Sequence, residues 1–293
     1  MRPRVAIVAT EPELRLAAAK AFDAAPAEWK VCLFDQAPPD ADAVVVCDDV
    51  HADGIRFDPT DPAGVVTEVA RALTRPVPGR SVFVVGACGG AGTTSVSLHL
   101  ARALGRHGSV CYLESDPNRG ARHRLGLPEE APAWDVVGKD TESLLRAAIP
   151  VEGSFRVLLM PDGKDRSDGG KVRGRCEERF TRVVVDVGAG PPSGSLTDAL
   201  AILVLTPSLV SARRARELLA ESPDVKWAIV TNRVGPGSET NTRMLERVLE
   251  RRITLELPCT PALRDREDEC RLLGSWSRWS SRLDRLAHAV AKT

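Results

Sequence analysis

A glycine-rich segment, ACGGAGTT at residues 87–94, has the residue types and spacing expected of a phosphate-binding loop. It separates an apolar run predicted to be a strand, Val82–Val85, from an Ala/Leu-rich run with helical spacing. Such a turn directs backbone N–H groups toward an anion, and the helix N-terminus adds partial positive charge. The expected phosphate contacts are Gly89, Gly90, Ala91, Gly92, Thr93, Thr94 and Ser95.

The segment departs from the usual phosphate-loop pattern GxxxxGK[ST]. Ala87 replaces the first glycine and Thr93 replaces the lysine, whereas Thr94 keeps the hydroxyl that commonly joins a Mg²⁺ shell. Glycine motifs also form tight strand-to-helix turns that bind nothing, which is the alternative interpretation.

Polar residues follow three other predicted strands. In VVVDVGAG, residues 183–190, Asp186 could hold Mg²⁺ through water and Gly190 could contact a terminal phosphate. Glu114 and Asp116 follow the strand Val110–Leu113, where the alternative is a solvated turn. Asn232 follows another strand and could hydrogen-bond the edge of a base.

The elements that must position these residues alternate between strands and helices. Apolar runs covered on both faces indicate a mostly parallel, doubly wound α/β sheet, in which ligands bind at the carboxyl ends of the strands. The predicted strands of this region are Val82–Val85, Val110–Leu113, Val157–Met160, Arg182–Val185, Ala201–Leu205, Lys226–Thr231 and Ile253–Leu257. Between them, Asp162–Arg175 is predicted to be a loop.

A smaller α/β segment precedes this region. Its predicted strands are Arg4–Val8, Lys30–Phe34 and Ala43–Cys47, and its predicted helices are Glu11–Ala24 and Ala63–Leu73. The proline-rich stretch PVPGR, residues 76–80, is predicted to be a linker. The predicted domains are therefore residues 1–75 and 81–293.

The composition of the 293-residue chain indicates a soluble protein of about two domains, with 43% apolar and 27% charged residues. Forty basic and forty acidic side chains cancel, which argues against a protein that coats nucleic acid. Apolar runs fall short of the ~20 residues of a membrane helix, and the first residues turn acidic too early for a secretory signal. Seven cysteines without a CxxC pair lead us to expect a reducing cytoplasm, no disulfide framework and no zinc site.

Taken together, the motifs resemble the MinD/ParA family (SIMIBI class) of deviant Walker A ATPases over Arg80–Lys292, about three-quarters of the chain. In that family a GKGGxGKT loop precedes DxD, a strand ending in DxxxG and a strand ending in an adenine-side Asn. The chain most resembles the CpaE/TadZ branch and the actinobacterial septum-site-determining (Ssd) proteins, whose loops read GGxGAT or GGAGAS behind a shortened receiver-like domain. Residues 255–273, LELPCTPALRDREDECRLL, are similar to that branch's LPxxPxLxxAxxxGxxL stretch.

The resemblance implies ATP or ADP with Mg²⁺ as cofactors and assigns roles to the strand-end residues. Thr94, Glu114 and Asp186 fall at positions that serve Mg²⁺. Asp116 is the second acid of DxD, which orients the attacking water in active members. Asn232 falls at the adenine-side position.

Two departures from the family pattern bear on hydrolysis. Thr93 replaces the lysine that neutralises the β- and γ-phosphates, and Cys88 replaces the signature lysine that reaches a dimer partner's nucleotide. Losing such a cation costs on the order of 10³-fold in rate. We therefore expect a nucleotide-binding positioning or scaffold protein with slow or absent hydrolysis; the alternatives are an active ATPase cycling between monomer and dimer, and a nucleotide-free interaction domain.

By the same resemblance, the first segment is a truncated, atypical receiver-like domain. Cys47 falls at the phosphoacceptor position, and Asp48 and Asp49 are expected to form a solvated strand end rather than a phosphosite. We expect this domain to act in docking or dimerisation.

The expected partners are a second copy of the chain and proteins of a pilus-assembly, secretion or division machinery. The last residues, WSRWSSRLDRLAHAVAK, place Trp276, Trp279 and Leu283 on one face of a helix. We expect this helix to cover the sheet; binding to a membrane surface is the alternative. The expected location is the cytoplasm, with the inner face of the membrane, the pole or the septum as peripheral sites.

Overall fold

Apolar, mostly β-branched runs form the strands of two separate sheets. The computed structural model describes residues 3–27, 29–36, 38, 41, 43–48, 54–74, 80–137, 141–152, 154–161, 169–191 and 200–292. Contacts divide the chain into two units, Met1–Pro76 and Val77–Thr293. Of the predicted linker, residues 76–79 lie outside the described part of the chain, and Arg80 begins a strand.

The first unit is a parallel sheet with helices α1 and α2. Its elements are β1 (Arg4–Val8), α1 (Pro12–Ala21) continued by a 3₁₀ turn (Phe22–Ala24), β2 (Lys30–Phe34), β3 (Ala43–Val46), β4 (Ile55–Arg56) and α2 (Pro62–Thr74). The strand order β2-β1-β3-β4 is that of the first four strands of flavodoxin-like sheets. Val5, Ile7, Val45 and Val69 are buried in its own core.

The second unit is built on an eight-stranded sheet of order β12-β11-β10-β5-β9-β6-β8-β7. Its strands are β5 (Arg80–Gly86), β6 (Val110–Glu114), β7 (Ile149–Val151), β8 (Phe155–Leu158), β9 (Arg182–Ala189), β10 (Leu200–Leu205), β11 (Lys226–Val234) and β12 (Leu255–Pro258). The edge strand β7 pairs antiparallel with β8, and the other pairings are parallel. The predicted α/β class with a mostly parallel sheet is confirmed.

Helices cover both faces of this sheet. They are α3 (Thr93–Leu104), α4 (Gly120–Arg124), α5 (Thr141–Ala147), α6 (Gly169–Arg179), α7 (Leu209–Glu221), α8 (Thr242–Leu249), α9 (Pro261–Asp268) and α10 (Arg278–Ala291). Alternate residues of β5 point to opposite faces. Val82 and Val84 pack in the core that includes α3 and α10, and Phe83 and Val85 pack in the core that includes α5 to α8.

Two parts of the second unit differ from the sequence prediction. The loop predicted at Asp162–Arg175 is helical from Gly169 onward as α6, whereas residues 162–168 lie outside the described residues. The edge strand β7 was not predicted. Within the described chain, no helix is both long enough and apolar enough to cross a membrane.

Candidate functional site

The carboxyl ends of four strands meet at one edge of the second sheet. The first of them, β5, lies between β10 and β9, and β9 is followed across the sheet by β6. Because these strands are parallel, the residues after Gly86, Glu114 and Asp186 come together at the same edge. Asn232 reaches that edge from β11, which pairs with β10.

The glycine-rich loop connects β5 to α3 through backbone conformations that favour glycine. Gly90 has φ +77° and Gly92, the N-cap residue of α3, has φ +89°. The helix begins directly at Thr93, so its first amides lie at the loop. This geometry is suited to binding an anion.

Thr94 and Asp186, which the sequence assigned to the Mg²⁺ side, are in contact. The Thr94 hydroxyl lies close enough to the Asp186 carboxylate to lower its pKa, and this carboxylate accepts hydrogen bonds from the Tyr112 hydroxyl at 2.7 Å and from the Gly188 amide at 3.2 Å. Asp186 is fully buried, and burial raises its pKa although these donors oppose the shift. Tyr112, the single tyrosine of the chain, is a site residue that sequence reasoning missed.

Glu114 is bound on both carboxylate oxygens by backbone amides. One oxygen accepts from Ala121 at 3.0 Å and the other from Met160 at 3.1 Å. Burial raises the pKa of Glu114 to about 7, with Asp186 and Asp116 adding to the increase and the two amides opposing it. Glu114 therefore joins the ends of β6 and β8 to the start of α4.

Asp116 lies in the turn after β6, close to the end of β9. One of its oxygens accepts from the backbone and side-chain amides of Asn118, at 3.0 and 2.9 Å. The carboxylate packs against Gly188, where a Cβ atom would overlap it. Gly188 thereby allows Asp116 to approach the strand that carries Asp186.

Asn232 is buried and connects the loop to the C-terminal helix. Its amide nitrogen donates to the carbonyl of Ala91 at 3.0 Å, and its oxygen accepts from the Trp279 indole at 3.3 Å and from the Arg233 amide at 3.0 Å. A Cβ atom at Gly92 would overlap the same amide. The sequence predicted Asn232 at this edge of the sheet but gave no indication of its hydrogen bonds with Ala91 and Trp279.

Known proteins resemble this chain in fold, at low sequence identity. Neither a family model nor a curated protein sequence matches the chain. Solved structures do match: a ParA-family ATPase from Chlorobium tepidum has TM-score 0.62 and 19% identity, over 72% of this chain and 98% of its own. The MinC:MinD cell division complex of Aquifex aeolicus gives 0.60 and 19%, over 73% and 96%. The septum site-determining protein MinD of Pyrococcus horikoshii, complexed with Mg-ADP, gives 0.60 and 17%, over 72% and 96%.

The chain shares the fold of these MinD and ParA proteins. At the two loop positions where the MinD/ParA pattern has lysines, this chain has smaller side chains that contact the protein. The thiol of Cys88 lies 3.5 Å from the Ser211 hydroxyl, at the start of α7. Thr93 is buried, and its hydroxyl packs so closely on Gly86 that a Cβ atom there would overlap it.

A cavity of about 370 Å³ opens beside the loop of this MinD/ParA fold. Gly89 and Gly190 both line it, so the structure brings together two glycines that the sequence assigned to phosphate contacts. Arg214 and Glu217 of α7 lie on its other side and form an ion pair at 3.0 Å.

The donor set of the site fits Mg²⁺ together with phosphates. Asp116 and Asp186 are both buried at the loop, and Thr94 adds a hydroxyl oxygen, the ligand type that Mg²⁺ prefers. No group of three His, Cys, Asp or Glu side chains among the described residues could hold a metal by itself. That arrangement suits an ion that keeps waters and shares its ligands with substrate phosphates.

Proposed function

We propose that this protein is a nucleotide-binding positioning protein that binds ATP or ADP with Mg²⁺ and hydrolyses ATP slowly or not at all. The observation that carries the proposal is that Thr94 and Asp186 are both buried beside a glycine loop that has no lysine. Among the related positioning proteins, we place it with the CpaE/TadZ and Ssd proteins, on the loop and residue 255–273 patterns.

Binding is supported by backbone and carboxylate groups that do not depend on a lysine. The N-terminus of α3 and the glycine loop would hold phosphates, with Thr94 and Asp186 on the Mg²⁺ side. Bound Mg²⁺·ATP would supply the negative phosphate charge that the loop amides bind.

Slow hydrolysis is supported by what replaces the lysines. Phosphoryl transfer depends on electrostatic stabilisation of the phosphate oxygens, and neither Cys88 nor Thr93 supplies a positive charge.

Asp116 is the residue that would orient water, and it lies close to β9. We therefore keep an active ATPase as the second candidate function.

For the first unit, we propose a docking or dimerisation role. Cys47 directly follows β3, and burial raises the pKa of its thiol to about 11. The next residue, Asp48, accepts hydrogen bonds from the Thr10 hydroxyl at 2.7 Å and the Glu11 amide at 3.2 Å. Because Asp48 already holds the loop before α1, we do not propose it as a phosphosite; Asp49 lies outside the described residues.

As partners we propose a second copy of the chain and proteins of a pilus-assembly, secretion or division machinery, at the pole, septum or inner membrane face. The apolar face of α10 is occupied, since Trp279, Leu283 and Leu286 pack into the core with α3. We therefore do not propose that face as a membrane anchor.

Calorimetric titration with Mg²⁺·ATP, paired with a phosphate-release assay, tests the proposal. We expect saturable binding with little release; fast release indicates the active ATPase, and absence of binding indicates a nucleotide-free interaction domain. Asp186→Asn removes the buried charge at nearly constant volume and should weaken binding. Asp268→Asn, at an exposed position of α9, is the matched control and should not change it.

Replacing Thr93 with Lys tests why hydrolysis is slow. If the missing charge is the cause, Thr93→Lys should raise the rate of phosphate release by on the order of 10³-fold. Thr93→Ala is the control and should leave the rate low. A Thr93→Lys protein that binds Mg²⁺·ATP without faster release would place the defect elsewhere, in the DxD-like pair Glu114 and Asp116.

A further inference from the structure

An arginine from α4 lies against the first turn of α3. Arg124 donates from Nη1 to the carbonyl of Gly120 at 2.9 Å, at the start of its own helix. A Cβ atom placed on Gly120 would lie 2.6 Å from Arg124 Nη1 and 3.3 Å from Thr94 Oγ1. The guanidinium and the Thr94 hydroxyl therefore flank the same small space.

A carboxylate from α9 holds this arginine in place. Arg124 Nε lies 3.2 Å from Glu267 Oε2, and the other oxygen of Glu267 accepts a hydrogen bond from the Ser95 hydroxyl. The side chains of Arg124 and Glu267 are 31% and 16% exposed. The helices α3, α4 and α9 thus meet around one ion pair at the N-terminus of α3.

The charge of Arg124 reaches the carboxylate cluster of the site. Burial raises the pKa of Tyr112, whose hydroxyl donates to Asp186, whereas the positive charge of Arg124 lowers that pKa. A guanidinium has five N–H donors. Nη1 donates to Gly120, whereas Nε forms the ion pair with Glu267 at a geometry outside that of a hydrogen bond. The planar guanidinium matches phosphate oxygens in geometry.

We propose that Arg124 supplies to the nucleotide phosphates the positive charge that position 93 lacks, with Glu267 as its positioning residue. The inference rests on the proposed function, since it requires a bound nucleotide. It explains how a loop without lysine can hold the phosphates, because the cation comes from the helix after the DxD-like pair. The loop position itself stays without a charge, so hydrolysis stays slow.

The test measures Mg²⁺·ATP affinity of the full chain by calorimetry in five proteins: wild type, Arg124→Ala, Thr93→Lys, the double variant and Arg264→Ala. We expect Arg124→Ala to weaken binding at least tenfold. Arg264→Ala removes the same charge from an exposed position of α9, in an ion pair with Asp268, and should change the affinity less than twofold.

Rescue separates phosphate binding from a merely structural ion pair. Thr93→Lys should restore most of the affinity lost in Arg124→Ala and should improve the wild type much less, because both side chains supply the same charge. A lysine at position 93 cannot rebuild the contact with Glu267, so it would not rescue a structural defect.

The melting temperature without nucleotide is measured for every variant. If Arg124→Ala does not fold, Arg124→Lys and Arg124→Gln replace it, and only the lysine variant should retain affinity. Equal affinity of a folded Arg124→Ala or Arg124→Gln protein and the wild type overturns this inference alone. A wild type that does not bind Mg²⁺·ATP overturns the proposed function as well.

Discussion

Gly92 and Gly89 belong to the same loop but meet different physical constraints. Gly92 has φ +89°, and a Cβ atom there would overlap the Asn232 amide, whereas a Cβ atom at Gly89 has open space. We expect Gly92→Ala to lower the free energy of unfolding by about 2–3 kcal/mol, from backbone strain plus overlap. Gly89→Ala should change it by less than about 0.5 kcal/mol.

Urea unfolding without nucleotide measures both variants. Gly90→Ala adds a third point, because Gly90 has φ +77° but open space around the Cβ position, so only the strain should appear. Equal losses in Gly92→Ala and Gly90→Ala would show that the overlap with Asn232 costs nothing.

His99 makes the stability of the second unit depend on pH. It is buried in α3, where burial lowers its pKa to about 3. Its Nε2 accepts from the Leu273 amide at 2.9 Å, so Nδ1 carries the proton and donates to the Ser95 carbonyl at 2.7 Å. Protonation of Nε2 would break the bond to Leu273.

The direction of this pH dependence follows from which state, folded or unfolded, binds a proton at His99. Between the ordinary pKa of 6.5 and about 3, the unfolded chain is protonated at this histidine and the folded chain is not. The contribution of neutral His99 to the free energy of unfolding is therefore complete above pH 6.5. It falls by about 1.4 kcal/mol for each pH unit below that value. Urea unfolding of wild type and His99→Gln at pH 7.0 and 5.0 measures it: the wild type should lose more stability. Parallel losses would contradict the assignment.

The carboxylates show which parts of the site could be predicted from sequence. The sequence predicted that Asp186 and Thr94 lie on the same side of the site, because each belongs to a recognisable motif at the carboxyl end of a strand. The environment of Glu114 could not, because its two donors come from α4 and from the end of β8, and hydrogen bonds between distant segments have no local pattern. Arg124 was missed for the same reason.

At the level of elements, two tryptophans near α10 have opposite environments, and the prediction that both lie on its apolar face is wrong for Trp276, which precedes the helix. Trp279 is fully buried, contacts His99 edge-on at 4.8 Å between ring centroids and donates to Asn232, whereas Trp276 is 98% exposed. We expect Trp279→Ala to cost about 3–5 kcal/mol of unfolding free energy. Trp276→Ala should cost less than about 0.5 kcal/mol.

Trp279→Phe keeps an aromatic ring but removes the indole N–H and part of the buried bicyclic ring. It should cost more than about 1 kcal/mol, the contribution of one buried hydrogen bond, because packing is lost as well, but less than Trp279→Ala, and should weaken nucleotide binding by loosening Asn232 at the loop. Urea unfolding and calorimetry measure the two effects. A large loss in Trp276→Ala would contradict the exposure of Trp276.

The periodicity of α10 predicted its apolar face, but by itself it left open whether this face covers the sheet, as we expected, or a membrane. An amphipathic pattern is the same whether a helix packs on a sheet or lies on a membrane, and only the structure shows the contacts with α3. The helix α6 was missed because GGKVRGRCEER is rich in glycine and charge, and among its residues Val172, Cys176 and Gly169 are the buried ones. Packing of those few residues outweighs weak helix propensity.

For the whole molecule, the two units have separate cores, so a ligand should stabilise only the unit that binds it. At a nucleotide concentration 100 times Kd, the second unit should gain about 2.7 kcal/mol. Amide exchange of its central strands, measured by mass spectrometry, should slow by on the order of 100-fold. Exchange in β1 and β3 should not change; equal slowing would show that both units unfold as one.

Apolar runs and turn residues predicted most strands of the two sheets, but not the short strands β4 and β7. The sheet order could not be derived from those runs alone. The first strand of the second unit, β5, lies between β10 and β9, partners that come from much later in the chain. The sequence predicted a mostly parallel, doubly wound sheet but no strand order.

The hydrogen bonds of Asn232 also have a consequence for synthesis. The ribosome releases the glycine loop early, yet the amide that binds Ala91 comes from β11 and the indole that orients it comes from α10, near the end of the chain. A nascent chain therefore carries the loop without its supports until α10 has been synthesised. We expect the ability to retain a nucleotide to arise only after α10 leaves the ribosome, so that products terminated before α10 cannot compete for it.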